Sequence, residues 1–433
     1  MWNRREFLAG TGLAATAATA APLLGRAAAR AAGPPADLPD PDPDQLFRAG
    51  CFAAADRGYA ALLRADPDNA HALVQRGYFA AMGNRFAAAE QFLTRAIRLA
   101  PGDAFAKGQL ADCYTRQDRL ARAVPLLRDS GREPYATLYA SVTGPAFATR
   151  GARATRLPWV ALDPLPMVEA SVNGGPPRPF VMDTGAPLVL STAEAERAGL
   201  RAVATVRGGP PGQVRTQYLG VASSFRLGDI ELRNVPLLWD DDPIPAPPGG
   251  PRPAGVIGTW IFCRFVTTMD YANRVLVLRH RTADQVRQVR AEARRAGATL
   301  LPLWLALDHV PFTMGSINGY GPRVARLDTG AAGLGVIMTE EKAKRAGVPI
   351  DYAHPITANG AIVAYPIAPD TMSLGTATGR HVPGIAGPIS IDDEVRFETL
   401  ADFAHEFFKP FALTFDYATM TCFVSRPVRP GGG

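Results

Sequence analysis

Lysine, cysteine and long apolar runs are what this 433-residue sequence has least of. Lysine stands only at positions 107, 342, 344 and 409, so the net charge of +6 rests on scattered arginines. No basic stripe interleaves with aromatics, which argues against a nucleic-acid partner. The four cysteines, Cys51, Cys113, Cys263 and Cys422, form no Cys-x-x-Cys pair, so a zinc site is unsupported. Their spacing leaves disulfides and single thiols equally open. The six histidines, including His280, His309, His354 and His381, show neither metal-ligand spacing nor a His-Asp-Ser order, and read as structural or exposed. Gly208-Gly209 is followed by prolines, which lack the N–H groups that cradle a phosphate. After the N-terminal stretch, no segment is apolar for long enough to cross a membrane.

What is present is the composition of a globular protein, 47% hydrophobic and 20% charged, with 42 Gly and 39 Pro that suit a turn-rich β body. Residues 1–32 carry Asn3-Arg4-Arg5-Glu6-Phe7-Leu8, an Ala-rich stretch to Leu24, and Ala29-Arg30-Ala31 as a candidate cleavage site. They resemble a twin-arginine export signal, which implies the periplasm or secretion; an uncleaved anchor is the alternative. A linker rich in Pro and Asp comes next, at 33–43. From 44 to 150 the pattern is helical, with Asp66-Pro67 and Ala100-Pro101 recurring 34 residues apart. Leu73, Gly77, Ala80, Ala89, Leu93 and Ala96, then Ala111, Tyr114, Ala123 and Leu127, resemble about two and a half tetratricopeptide units. Two readings of them stand side by side: a groove for a protein partner, or a helical brace for the rest of the chain.

The informative part lies beyond residue 150, because one tripeptide is used twice. Asp183-Thr184-Gly185 and Asp328-Thr329-Gly330 each end an apolar run. Each follows an Asn-Gly turn (Asn173-Gly174, Asn318-Gly319) and precedes a helical stretch ending in Arg-Ala-Gly (Arg197-Ala198-Gly199, Arg345-Ala346-Gly347). Further on, Leu227-Gly228 matches Leu374-Gly375, and Asp270-Tyr271 matches Asp416-Tyr417. A repeat that keeps this order predicts two homologous lobes. The boundaries read as lobe one at 151–281, a charged inter-lobe helix at 282–299, lobe two at 300–427 and a tail at 428–433. The predicted fold class is therefore multidomain, an all-α helical repeat segment followed by a mainly-β bilobal body.

Two carboxylates brought together cannot both ionise cheaply, so they share a proton. One can then act as base on a water while the other donates to a carbonyl, with no metal and no cofactor. Gly185 and Gly330 permit the turn, and the hydroxyls of Thr184 and Thr329 can bridge the two loops. Ala186 and Ala331 offer no hydroxyl to the carboxylates, which predicts an activity optimum that is mildly rather than strongly acidic.

On these motifs, residues 157–426 resemble an aspartic protease of the pepsin and retropepsin type with both lobes in one chain. The resemblance implies a cleft between the lobes, a polypeptide substrate, no cofactor, and catalysis by Asp183 and Asp328. It also implies a supporting glycine behind each active loop. Val256-Ile257-Gly258 supplies it in lobe one, but Asp402-Phe403-Ala404 stands at the matching place in lobe two, and Arg326 takes an apolar position before Asp328. Gly209 and Gly212 in lobe one, and Asn359-Gly360 in lobe two, are the candidate flap turns. Tyr218 and Tyr365 could each offer a hydroxyl over the cleft, with a buried or stacking ring as the favoured reading. The rival reading is a non-catalytic scaffold that clamps extended peptides by strand addition.

Overall fold

The computed structural model describes residues 42–209, 214–241, 244, 246–358 and 362–426. The export-signal reading of 1–32, nearly all of the 33–43 linker, the 428–433 tail, and the flap residues Gly212, Asn359 and Gly360 lie outside them. No helix among the described residues is long and apolar enough to cross a membrane.

Helices fill residues 43–140 and a mostly β body follows. Asn69 caps the helix Ala70–Met82 by accepting the Ala72 amide, and Asp103 caps Ala104–Arg116 by accepting that of Ala106, both at 2.9 Å. Pro67 and Pro101 sit in the turns just before these caps, where a missing N–H costs nothing. Gly77 lets Phe86–Leu99 close on Ala70–Met82, since a Cβ there would stand 2.6 Å from Leu93 Cγ. The apolar and small positions of the repeat pattern, from Leu73 to Leu127, are all buried.

Lobe one is a closed ring of strands. Ile230–Asp240 pairs with Val189–Ser191, then come Gly255–Ile257, Arg178–Met182, Met167–Val172 and Arg215–Leu227, which returns to Ile230–Asp240. The strand Ala148–Gly151 already pairs with Ile230–Asp240. Lobe two repeats the central part in the same order: Val336–Met338, Asp402–Ala404, Tyr320–Asp328 and Val310–Ile317 are successive neighbours.

The duplicated sequence signals make the same local contacts in both lobes. Asn173 and Asn318 adopt positive φ (50° each), and their side-chain amides donate to the ends of the matching helices, to Ala198 O (2.8 Å) and Gly347 O (3.2 Å). Those helices, Thr192–Arg197 and Glu340–Arg345, are capped by Ser191 and Thr339 and end at Gly199 and Gly347, both at positive φ. The turn, the helix and its glycine stop are thus one hydrogen-bonded unit, used twice.

Between the lobes lies a shared sheet. Phe265–Asp270 runs antiparallel to Ala412–Asp416, with Thr268 opposite Thr414 and their hydroxyls 3.0 Å apart. This pair, 146 residues apart in sequence, joins matching positions of the two lobes, two residues before Asp270 and Asp416. A second tie crosses the lobes at Asp163, which accepts from Lys409 Nζ at 2.6 Å and lies 3.6 Å from the fully buried His405. The helix Ala283–Arg295 links the lobes, capped by Thr282 and seated on Val289 and Ala293.

The helical segment lies against both lobes. Phe47, Phe52, Tyr59 and Tyr78 share a core with Val310, Phe312, Val324 and Phe397 of lobe two. At the other end Tyr139 packs on Trp260 of lobe one, and Arg264 reaches Asp118 at 2.5 Å. All four cysteines are free thiols.

Candidate active site

The strands Arg178–Met182 and Tyr320–Asp328 deliver the two Asp-Thr-Gly loops to the seam between the lobes, each beside a parallel partner. Met182 lies opposite Ile257 in one lobe and Leu327 opposite Phe403 in the other. The loops are locked by their threonines. Thr184 N donates to Thr329 Oγ1 (3.0 Å), and Thr329 N donates to Thr184 Oγ1 (3.1 Å). Each hydroxyl then donates onward, Thr184 to Leu327 O (2.7 Å) and Thr329 to Met182 O (3.1 Å). Four buried bonds therefore join loops 145 residues apart in sequence and fix the distance between the carboxylates.

Those carboxylates face one another. Gly185 N donates to Asp183 Oδ1 (2.7 Å) and Gly330 N to Asp328 Oδ1 (3.0 Å). A Cβ on Gly330 would stand 2.1 Å from Asp183 Cγ, and one on Gly185 would stand 2.5 Å from Arg326 Nη2 and 3.2 and 3.3 Å from Asp183 Oδ1 and Asp328 Oδ1. Only glycine leaves room for both acids. Burial, and next the charge of Asp328, push the Asp183 carboxyl up to about 7.

Gly258 packs tightly behind the loop of lobe one: a Cβ would stand 1.9 Å from Ala186 O and 2.1 Å from Pro187 O. The next residue, Thr259, donates its hydroxyl to Thr184 O at 2.9 Å, a role sequence reasoning did not find although it adjoins Gly258. In lobe two Ala404 takes the glycine's place, and the loop after the tripeptide is longer. There the close approach moves to Gly335, whose Cβ would meet Val382 Cγ1 at 2.0 Å, and Gly333 turns the chain at φ 69°. The Ala404 and Glu406 amides still bond back to Gly335 O and Leu334 O, both at 2.9 Å, so the loop is held from behind.

Arg326 and Asp402, which the sequence presents as separate departures, are partners. They lie opposite each other on parallel strands, and Arg326 Nη1 meets Asp402 Oδ2 at 3.2 Å. Arg326 Nη2 meets Asp328 Oδ2 at 3.1 Å. The corresponding positions of lobe one are Val181 and Val256, members of an apolar cluster with Leu165, Met167 and Ala332. One flank of the carboxylate pair is thus apolar and the other charged.

Of the flap candidates, Gly209 lies at the end of the strand Ala204–Gly208, with φ 128°. The hairpin strands Ala204–Gly208 and Arg215–Leu227 pair in lobe one, as do Ile356–Ala358 and Ile362–Ile367 in lobe two. Tyr218 stacks on Trp239 and Tyr365 packs edge-on to Tyr352. Asp163, His405 and Glu406 place donor atoms within 4.8 Å of one another. Lys409 Nζ already bridges the two acids at 2.6 Å each, so the charge a cation would bring is supplied by the chain.

Residues 168–260 match the aspartyl protease family model. The match covers lobe one from Met167–Val172 through Gly258, and makes this region aspartyl protease-like. The threonine lock and the parallel strand pair extend the same arrangement to lobe two. No curated protein matches the chain in sequence. Among solved structures, a mutant of the Thermobaculum terrenum O-GlcNAc transferase aligns over 24% of this chain and 22% of its own, at 21% identity and a TM-score of 0.22, too partial a likeness to bear on fold or activity.

Proposed function

We propose that the protein is an aspartic-type endopeptidase, exported through a twin-arginine signal to the bacterial periplasm or beyond. It cleaves polypeptides with a water held between Asp183 and Asp328. The observation that carries this reading is the pair of facing carboxylates locked by the reciprocal Thr184–Thr329 bonds. Water attacks the peptide carbonyl while the ionised acid takes its proton and the protonated acid donates to the carbonyl oxygen. With Asp183 protonated to about pH 7, the one-proton state of the pair reaches from acidic to near-neutral pH, in keeping with a mildly acidic optimum.

The helical segment serves this reading as a brace. Tyr78, Asn84 and Phe105, on or beside the first helices of its hairpins, are engaged by Val395 O, Tyr417 O and Arg396 of the body. That part of the surface is not free for a peptide.

The test is peptide-library cleavage from about pH 3 to 8, comparing wild type with Asp183→Asn and Asp328→Asn. Loss of cleavage in both variants is the expected outcome. Cleavage that survives either change rules out the shared-proton mechanism. A folded wild type that binds peptides and cleaves none points to the scaffold.

A further inference from the structure

The two lobes differ most where they come closest to the reacting atoms. Strand side chains alternate in direction, so positions 181 and 326, two residues before their acids, share the face of Asp183 and Asp328. Lobe one has Val181 there with Val256 beside it, and lobe two has Arg326 with Asp402. Among the described residues Asp183 makes no ion pair, whereas Asp328 receives an N–H from Arg326 Nη2 at 3.1 Å. Asp328 Oδ1 is already taken by Gly330 N, so donors hold both its oxygens.

We propose that Arg326, oriented by Asp402, breaks the symmetry of the pair, fixing the shared proton on Asp183 and making Asp328 the base. This deepens the endopeptidase reading and rests on it. In the attack step the water oxygen bonds to the carbonyl carbon, a water proton passes to Asp328, and the Asp183 proton passes to the carbonyl oxygen. In the collapse step the C–N bond breaks and the nitrogen takes the proton from Asp328. A hydroxyl proton of the diol returns to Asp183, restoring the starting state.

The surroundings support the assignment. Burial first, opposed by Arg326, leaves the Asp402 carboxyl raised to about 6. Below that pH Asp402 takes a proton, and the Arg326 charge acts on Asp328 with less opposition. The other charged groups facing this corner are paired away from it, Lys342 with Asp392 at 2.6 Å and His309 with Asp308. Glu394 acts on Arg326 and His309 on Asp183 only through their charge. The Arg326 charge also reaches Asp183, but its N–H is given to Asp328, so Arg326 acts chiefly through Asp328 as a positioning residue.

The test copies lobe one into lobe two with the double variant Arg326→Val/Asp402→Val. Replacing a buried ion pair by apolar residues keeps the fold, whereas Arg326→Val alone strands Asp402. Asp side chains labelled with 13C at the carboxyl are titrated in wild type and double variant, and kcat/KM is followed against pH in both. In the wild type Asp183 and Asp328 are expected to titrate separately, with the proton on Asp183. In the double variant they should titrate as a near-equivalent pair, and the acid limb of kcat/KM should move up by about one pH unit or more. A double variant whose carboxyl titrations and acid limb superimpose on the wild type overturns the proposal while leaving the protease reading intact. A wild type that titrates unequally yet cleaves no peptide overturns the protease reading and leaves the charge assignment standing.

Discussion

At the scale of single residues the site is a set of buried polar groups that satisfy one another, and its vulnerabilities stem from that. The Thr184 hydroxyl accepts the Thr329 amide and donates to Leu327 O. Thr184→Val keeps the shape and orphans both, at about 1–3 kcal/mol for each buried group. The expected result is a lowered Tm together with a fall in kcat of roughly a hundredfold, because the loops that set the spacing of the acids loosen. Thr184→Ser, which keeps the hydroxyl, should restore most of both; chemical denaturation and steady-state kinetics check it. The acid pair makes a second prediction, whose sign is set by proton binding. Asp183 rises from 3.8 to about 7 on folding, so the folded chain holds a proton that the unfolded chain has lost. Its contribution is complete below about pH 4 and is lost as pH climbs toward 7. Asp183→Asn has no proton to lose. The variant should melt a few degrees above wild type at pH 7.5 and level with it at pH 4, and a difference that is constant across this range would contradict the raised carboxyl.

At the scale of elements, the two lobes answer the same steric problem differently. Gly258 is enclosed by the carbonyls of Ala186 and Pro187, so Gly258→Ala must push two backbone segments apart. It is expected to cost several kcal/mol and to abolish activity, as large destabilisations do when strain has no outlet. In lobe two the approach has moved to Gly335 and the loop is longer. Ala404→Gly should therefore change Tm by no more than the ~1 kcal/mol that an extra glycine costs in backbone entropy. Calorimetry on the two variants measures this asymmetry, and equal effects would contradict it. The duplicated signals were legible in the sequence because each is local: an Asn-Gly turn, a capped helix, an Arg-Ala-Gly stop and a tripeptide after an apolar run. The pairing of Arg326 with Asp402 was not, since it depends on the register of strands 76 residues apart. Each residue alone looked like damage to the site, and only as neighbours do they neutralise each other. The same limit applies to His405, whose burial comes from the packing of Tyr271 and from Asp163 in the other lobe.

At the scale of the whole molecule, the helical segment and the β body share one core. The 34-residue recurrence made the helices legible, but a repeat pattern does not say what its outer faces touch. Tyr78 donates to Val395 O across 317 residues of sequence. Phe52 packs edge-on to both Trp304 and Phe397, with ring centroids 5.1 Å apart in each case. Phe397 also meets Phe312 of lobe two, on the strand beside the one that carries Asp328. The seam lies one strand from the acid pair, and the opposite end of the helical segment rests on Trp260, two residues after Gly258. The brace therefore packs on elements that neighbour both active loops, and folding of the helices and of the lobes should be coupled. Phe52→Ala removes a fully packed ring at the seam and is expected to cost about 3–5 kcal/mol. If the segments are coupled, calorimetry shows one transition that moves down as a whole, and peptide cleavage is lost at the same temperature as the helical signal. Two separated transitions, with cleavage retained after the helices melt, would show that the lobes hold the acid pair together without the helices, through the threonine bonds, the shared sheet at Thr268 and Thr414 and the Asp163–Lys409 tie.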